Sequence, residues 1–279
     1  MNISEFIKSG SESIEDITDT PRLDVELLLL NVLGKERSYL YTWPEQKLTD
    51  VQIGEAQNLL KRRQQGEPVA YILGKRDFWD FSVEVTPDTL IPRPETELLI
   101  ELALQKFDSE VQLQIADLGT GSGILAIALA REFANSKVFA VDISEGAIGV
   151  ARRNGESLRL KNIEFKCGSW LEPLAGKSFD LIVSNPPYIE DADHHLDEGD
   201  VRFEPRSALA SGEDGLDDIR IIARQAIAHL KASGVLAVEH GYQQGKAVRD
   251  IFAAVGFESV ETVKDLQGHD RVTLGKKKY

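Results

Sequence analysis

Through the first 75 positions apolar residues recur at helical spacing; beyond them come short apolar runs broken by glycine and polar turns. Leu23, Leu27, Leu30 and Leu33 share one face of a segment that opens at Thr20-Pro21, a cap and a residue suited to the first turn, and closes at Gly34. A second segment opens at Thr49 with Gln52 three residues on, a reciprocal capping pattern, and runs through Leu59 and Leu60 to Gly66-Glu67-Pro68. The two predict a small helical domain over residues 1–75. Residues 78–85 alternate only in part and predict a hairpin or extended linker, placed at 76–92, ahead of Ile91-Pro92-Arg93-Pro94.

From residue 93 to 279 the pattern changes. Apolar runs at 114–118, 137–141, 163–166, 179–184 and 234–239 alternate with helical stretches that start at Ile124, Ser144 and Asp217. Such alternation predicts an α/β domain with a mostly parallel sheet covered by helices on both faces. Runs at 259–263 and 271–274 are too close together for a parallel crossover, so they predict an antiparallel pair at one edge.

Composition narrows the class. A chain of 279 residues suits two domains. Its longest apolar stretches, 27–30 and 124–130, fall far short of the roughly 20 residues of a membrane span. The start has no basic segment followed by an apolar one, so a soluble, cytoplasmic protein is expected. We take it as a monomer. The single cysteine, Cys167, excludes an internal disulfide and leaves a zinc site short of thiolates, so no metal is expected. With 32 basic against 46 acidic residues the net charge is −14, which opposes a phosphate backbone and makes nucleic acid a disfavoured partner. Lys276-Lys277-Lys278 reads as a solvated tail.

Two loops carry the chemistry. In Asp117-Leu118-Gly119-Thr120-Gly121-Ser122-Gly123 three glycines alternate between a strand and a helix, so backbone can approach a ligand closely. The spacing is not G-x-G-x-x-G, which lowers a nicotinamide-dinucleotide reading. The next strand ends in Asp142, which reads either as a cap for the helix after Ser144 or as an acceptor for a ribose diol; beside the glycine loop the nucleoside reading is the better one. The strand at 179–184 runs into Asn185-Pro186-Pro187-Tyr188. An amide nitrogen is a poor nucleophile because its lone pair is delocalised, so a site that methylates one needs acceptors to orient it. The Asn185 side-chain oxygen and the Pro186 carbonyl can each accept an N–H and aim the nitrogen at a methyl donor. Positive charge that grows on the nitrogen is stabilised by the same fixed dipoles. The prolines stiffen the loop, and Tyr188 offers a flat face to a planar group.

The glycine loop with its acidic strand end resembles that of class I S-adenosylmethionine methyltransferases, and the Asn-Pro-Pro-Tyr loop resembles those that act on planar nitrogen. Tyr71-Ile72-Leu73-Gly74, the octapeptide from Leu90 to Glu97, the loop from Asp117 to Gly123, Ser184 to Ile189, and Phe203-Glu204-Pro205 together resemble the release factor glutamine methyltransferases of the PrmC/HemK family. That resemblance implies an N-terminal helical bundle, a hairpin linker and a seven-stranded catalytic domain. It implies S-adenosylmethionine as methyl donor and, as substrate, the Gly-Gly-Gln glutamine of class 1 peptide chain release factors, methylated at N5. By position, Gly119, Thr120, Gly121, Ser122, Gly123, Asp142, Trp170 and Asn185 would bind the cofactor, and Asn185, Pro186, Pro187 and Tyr188 the glutamine. Where the family often has an aspartate before Trp170, this chain has Gly168-Ser169, so Ser169 would take over the adenine contact. Glutamine methylation of ribosomal protein L3, adenine N6 methylation of nucleic acid and a non-enzymatic release-factor adaptor are the rival readings. Intact glycine and Asn-Pro-Pro-Tyr loops weigh against an adaptor.

Several residues keep open or plain readings. On composition alone Trp170 reads as core. His194 and His195 lie in an acidic loop, Glu190 to Asp200, read as solvated, with a possible role in covering the protein substrate. Cys167 reads as packing. Arg93 and Glu95 could position substrate or cap a helix beginning at Thr96.

Overall fold

The structure is a computed structural model that describes residues 1–278. It divides into two compact units: one comprises Met1–Lys75 together with Asp197–Phe203, the other Arg76–Leu196 together with Glu204–Tyr279. The sequence reading had placed residues 197–203 in the catalytic domain.

The first unit holds α1 (Ile3–Glu12), α2 (Pro21–Leu33), α3 (Ser38–Thr42), α4 (Asp50–Gln64) and α5 (Val69–Leu73). Asn2 with Glu5 and Thr49 with Gln52 form reciprocal capping boxes on α1 and α4. Thr20 stands at the start of α2 but makes no capping bond; its hydroxyl donates to Asp24 instead, 3.0 Å away. The apolar stripe of α2 is also displaced from the expected one: Val25, Leu28 and Leu29 are buried, while Leu23 is exposed. The physical reason is that two carboxylates share the buried face. Asp24 accepts from the buried Arg63, and Glu26 is held by Arg22, Arg37 and Tyr41. Arg63 Nη1 also donates to the carbonyls of Gly66 and Glu67 and to Asp200, at 3.2, 3.1 and 2.8 Å. Nε and Nη1 are thereby matched, and two carboxylates flank the buried guanidinium.

In the second unit a hairpin, β1 (Lys75–Phe78) and β2 (Phe81–Glu84), turns at Trp79-Asp80. The Trp79 indole donates to Glu132 at 2.8 Å, its backbone N–H donates to Glu97 at 3.0 Å, and Arg153 pairs with Glu84. A short 3-10 turn, Pro94–Thr96, leads into α6 (Glu97–Lys106), one residue later than the expected start. Then follow β3 (Gln114–Leu118), α7 (Ile124–Glu132), β4 (Lys137–Asp142), α8 (Glu145–Ser157), β5 (Ile163–Cys167), β6 (Phe179–Ser184), α9 (Asp217–His229), β7 (Leu230–Glu239), α10 (Gly245–Val255), β8 (Glu258–Lys264) and β9 (Asp270–Lys276). The seven-stranded sheet has the order β5-β4-β3-β6-β7-β9-β8, parallel except for β9, which runs antiparallel to both β7 and β8. The expected antiparallel pair therefore exists and closes one edge. The sequence reading omitted α10, although Gly256 ends it in a left-handed turn. The expected lysine tail is partly structure: Lys276 belongs to β9, and the Lys277 ammonium donates to the Leu230 carbonyl at 2.7 Å.

Candidate active site

Strands β3 and β6 pair in parallel with Leu118 opposite Ser184, so the loops after them open at the point where strand order reverses. Ser184 Oγ donates to the Leu118 carbonyl at 2.7 Å and ties the roots of the two loops together. The glycine loop turns at Gly119, Gly121 and Gly123, with φ of 72°, 55° and 87°, a region costly for residues with a Cβ. The N–H groups of Gly119 and Thr120 donate to the Val141 carbonyl at 2.9 Å each.

Asp142, at the end of β4, accepts from Gly121 N–H through Oδ2 and from Ser144 N–H through Oδ1, both at 2.9 Å. The helix cap of α8 is Ser144, which accepts from Ala147 N–H. Asp142 thus braces the glycine loop and keeps lone pairs on both oxygens for further donors. Burial raises its pKa, against the three backbone N–H groups that stabilise its charge.

A cavity of about 520 Å³ opens over this edge, within the range of small-ligand sites. Gly119, Thr120, Gly121, Ser122, Asp142, Trp170, Asn185 and Pro187 line it. Gly123, Pro186 and Tyr188 lie outside the lining, contrary to expectation. A Cβ at Gly123 would sit 3.0 Å from that of Ala151, so this glycine serves close packing of the loop on α8. The Tyr188 hydroxyl points to the buried Glu239, 3.4 Å away, and burial raises the phenol's pKa.

Trp170 packs against the core and also lines the cavity. It adopts φ 43°, a strained conformation for a bulky residue, and a Cβ on Gly119 would meet its ring at 3.3 Å. Beside it Asp218 also lines the cavity, and burial raises the pKa of its carboxyl. Sequence reading missed Asp218, because an acidic residue in the first turn of a helix reads as ordinary helix chemistry. Ile143 was missed too: it is 71% exposed, unusual for its type, and lines the cavity beside Asp142.

Asn185 Nδ2 donates to Thr96 Oγ1 at 3.0 Å, and Thr96 Oγ1 donates to Glu239 Oε2 at 2.8 Å. Glu239 is fully buried, and that burial pushes its pKa up to about 7. Buried Asp117 is likewise pushed up to about 7; its Oδ2 accepts from Thr120 Oγ1 and Ala126 N–H, at 2.5 and 3.0 Å, while Oδ1 has no partner among the described residues. It fixes the loop to the start of α7.

No side-chain capping bond is made at the start of the 3-10 turn or of α6, so the capping reading of Arg93 and Glu95 does not hold. Arg93 pairs with the buried Glu204, which also accepts from Ile91 N–H at 3.0 Å. Glu204 therefore anchors residues 91–93 along the cavity, where Arg93 is part of the wall. Ser169 lines the cavity. Cys167, expected to pack, is exposed at the end of β5. Asp193, His194 and His195 bring ligand atoms within 4.8 Å of one another, but the Asp193 carboxylate is engaged by the ring and N–H of His195 at 2.7 and 2.9 Å.

Family models match two stretches: a PrmC N-terminal domain over residues 5–74 and a methyltransferase small domain over 95–202. Curated release factor glutamine methyltransferases align along nearly the whole chain. The Vibrio cholerae protein is 48% identical and covers 100% of this chain and 98% of its own length. Those of Pseudomonas aeruginosa and Escherichia coli are 50% and 45% identical, covering 93% of this chain and 94% and 93% of their own. The chain belongs to the release factor glutamine methyltransferase family. Solved structures agree on the fold of the catalytic unit. A methyltransferase from Pyrococcus furiosus superposes with TM-score 0.55 at 19% identity, over 80% of this chain and 99% of that one. The 16S rRNA N2 G1207 methyltransferase of T. thermophilus gives 0.54 at 21%, over 73% and 50%. The second unit of this family member is thus a class I methyltransferase domain.

Proposed function

We propose that this chain transfers a methyl group from S-adenosylmethionine to the N5 amide nitrogen of the glutamine in the Gly-Gly-Gln motif of class 1 peptide chain release factors, acting as a cytoplasmic monomer. The observation that carries the reading is the cavity itself. Asn185 reaches it with its amide nitrogen already tied to Thr96, so its oxygen is the group left to meet a substrate N–H.

The cavity suits the donor. The Gly119 to Ser122 backbone forms one wall without side-chain bulk, Asp142 has lone pairs left for ribose hydroxyls, and Ile143 with Trp170 offer apolar surface to a base. When bound, S-adenosylmethionine supplies an electrophilic methyl on a sulfonium sulfur. Asn185 Oδ1 accepts one N–H of the substrate amide and turns the nitrogen toward that methyl. This acceptor is most strongly bound when positive charge develops on the nitrogen, which is the condition for lowering a barrier. Pro187 stiffens the wall, and Arg93, held by Glu204, borders the space where the glutamine enters.

The test is competitive methyl transfer from radiolabelled S-adenosylmethionine to an unmodified class 1 release factor, ribosomal protein L3 and total nucleic acid. Label confined to the release factor supports the reading. Label on either rival moves the substrate and keeps the chemistry.

A further inference from the structure

An asparagine side chain can present either its oxygen or its nitrogen to a ligand, and only the oxygen can accept from a substrate amide. We infer that Thr96 and Glu239 are positioning residues that lock the Asn185 amide with its oxygen toward the cavity, an inference that rests on the glutamine-methylating reading above.

The hydrogen bonds have one consistent direction. An ionised carboxylate is acceptor only. Glu239 Oε2 lies 2.8 Å from Thr96 Oγ1, so the threonine hydroxyl must spend its single proton there. Its oxygen can then only accept, and the atom of Asn185 placed 3.0 Å from it must be Nδ2. Both Thr96 and Glu239 are 1% exposed, so water does not replace either bond. The second carboxylate oxygen faces the Tyr188 hydroxyl at 3.4 Å, and Arg271, Glu95 and, around Tyr188, Arg93 are the other charged groups that act on the pair. A protonated Glu239 could donate to Thr96, free the threonine proton for Asn185 and favour the wrong face of the amide. With that carboxyl pushed up to about 7, the lock is set above neutral pH and loosened below it.

Thr96→Val, Thr96→Ser and Glu239→Gln are compared by turnover on the release factor from pH 6 to 8.5, with cofactor affinity from calorimetry. Thr96→Val leaves Nδ2 facing a methyl, and turnover at saturating substrates should fall about tenfold with cofactor affinity within about twofold. Thr96→Ser should recover most of it. Glutamine at 239 can hold Thr96 in either direction, so turnover should be lowered several-fold and become flat with pH, converging on wild type at pH 6. Wild-type turnover by Thr96→Val, or a Glu239→Gln profile parallel to that of wild type, overturns the lock. A wild-type enzyme that leaves release factors unmethylated would instead overturn the functional reading beneath it.

Discussion

The roles proposed for Asn185 and Asp142 differ, and single substitutions separate them. Asn185→Ala removes the acceptor proposed to meet the substrate amide and should lower turnover about a hundredfold or more, as loss of an oxyanion-hole donor does, while leaving cofactor affinity within a few-fold. Asp142→Ala should do the reverse and weaken the cofactor about tenfold or more in a calorimetric titration. Glu239 adds a pH signature. Its folded pKa of about 7 exceeds the ordinary 4.5, so between those values the native state keeps a proton that the unfolded chain has lost. The group therefore contributes stability present below about pH 4 that is lost as pH rises through 7. Glu239→Gln should gain on wild type by about 1–3 kcal/mol between pH 5 and 8, read by urea denaturation at each pH. Position in the site was legible where the pattern is local, as with Asn185, which follows a strand run directly and lines the cavity. Thr96, Glu239 and Glu204 were not, because their partners lie 89, 143 and 111 positions away and carry no local pattern.

Among the elements, α8 does more than cover the sheet. Asn154, buried in its last turns, accepts from Glu84 N–H at 2.7 Å and donates to the carbonyls of Glu84 and Ser122 at 3.0 and 2.8 Å. One amide thus joins the hairpin to the glycine loop. Asn154→Ala leaves three backbone groups, one of them fully buried, short of a partner and should cost about 1–3 kcal/mol in thermal unfolding, with a several-fold loss of cofactor affinity. Alternating apolar runs were enough to read β3, β4 and β6 and to place their loops together, since a buried parallel strand has few other uses for such a run. The stripe of α2 was misread for the opposite reason. Asp24 and Glu26 look solvent-facing until Arg63 and Arg37 are seen to neutralise them.

Across the whole molecule, the two compact units differ in how far the chain must travel to build them. Residues 197–203 complete the helical unit, and the Arg63–Asp200 pair spans 137 positions. Arg63→Ala strands Asp24 without its cation and should destabilise that unit by about 3–5 kcal/mol in chemical denaturation, whereas a surface pair such as Lys246–Asp250 should cost less than about 1 kcal/mol when broken. No local signal marks this segment, which follows the Asn-Pro-Pro-Tyr loop in a stretch that reads as solvated. Global charge is read directly from the sequence, and a net −14 opposes close approach to a phosphate backbone. The most direct test of the central claim is tandem mass spectrometry of an unmodified class 1 release factor after incubation with this enzyme and S-adenosylmethionine. One added methyl is expected, localised by fragmentation to the glutamine of Gly-Gly-Gln and absent with Asn185→Ala. A methyl on any other residue, or the same methyl with Asn185→Ala at wild-type rate, would contradict it.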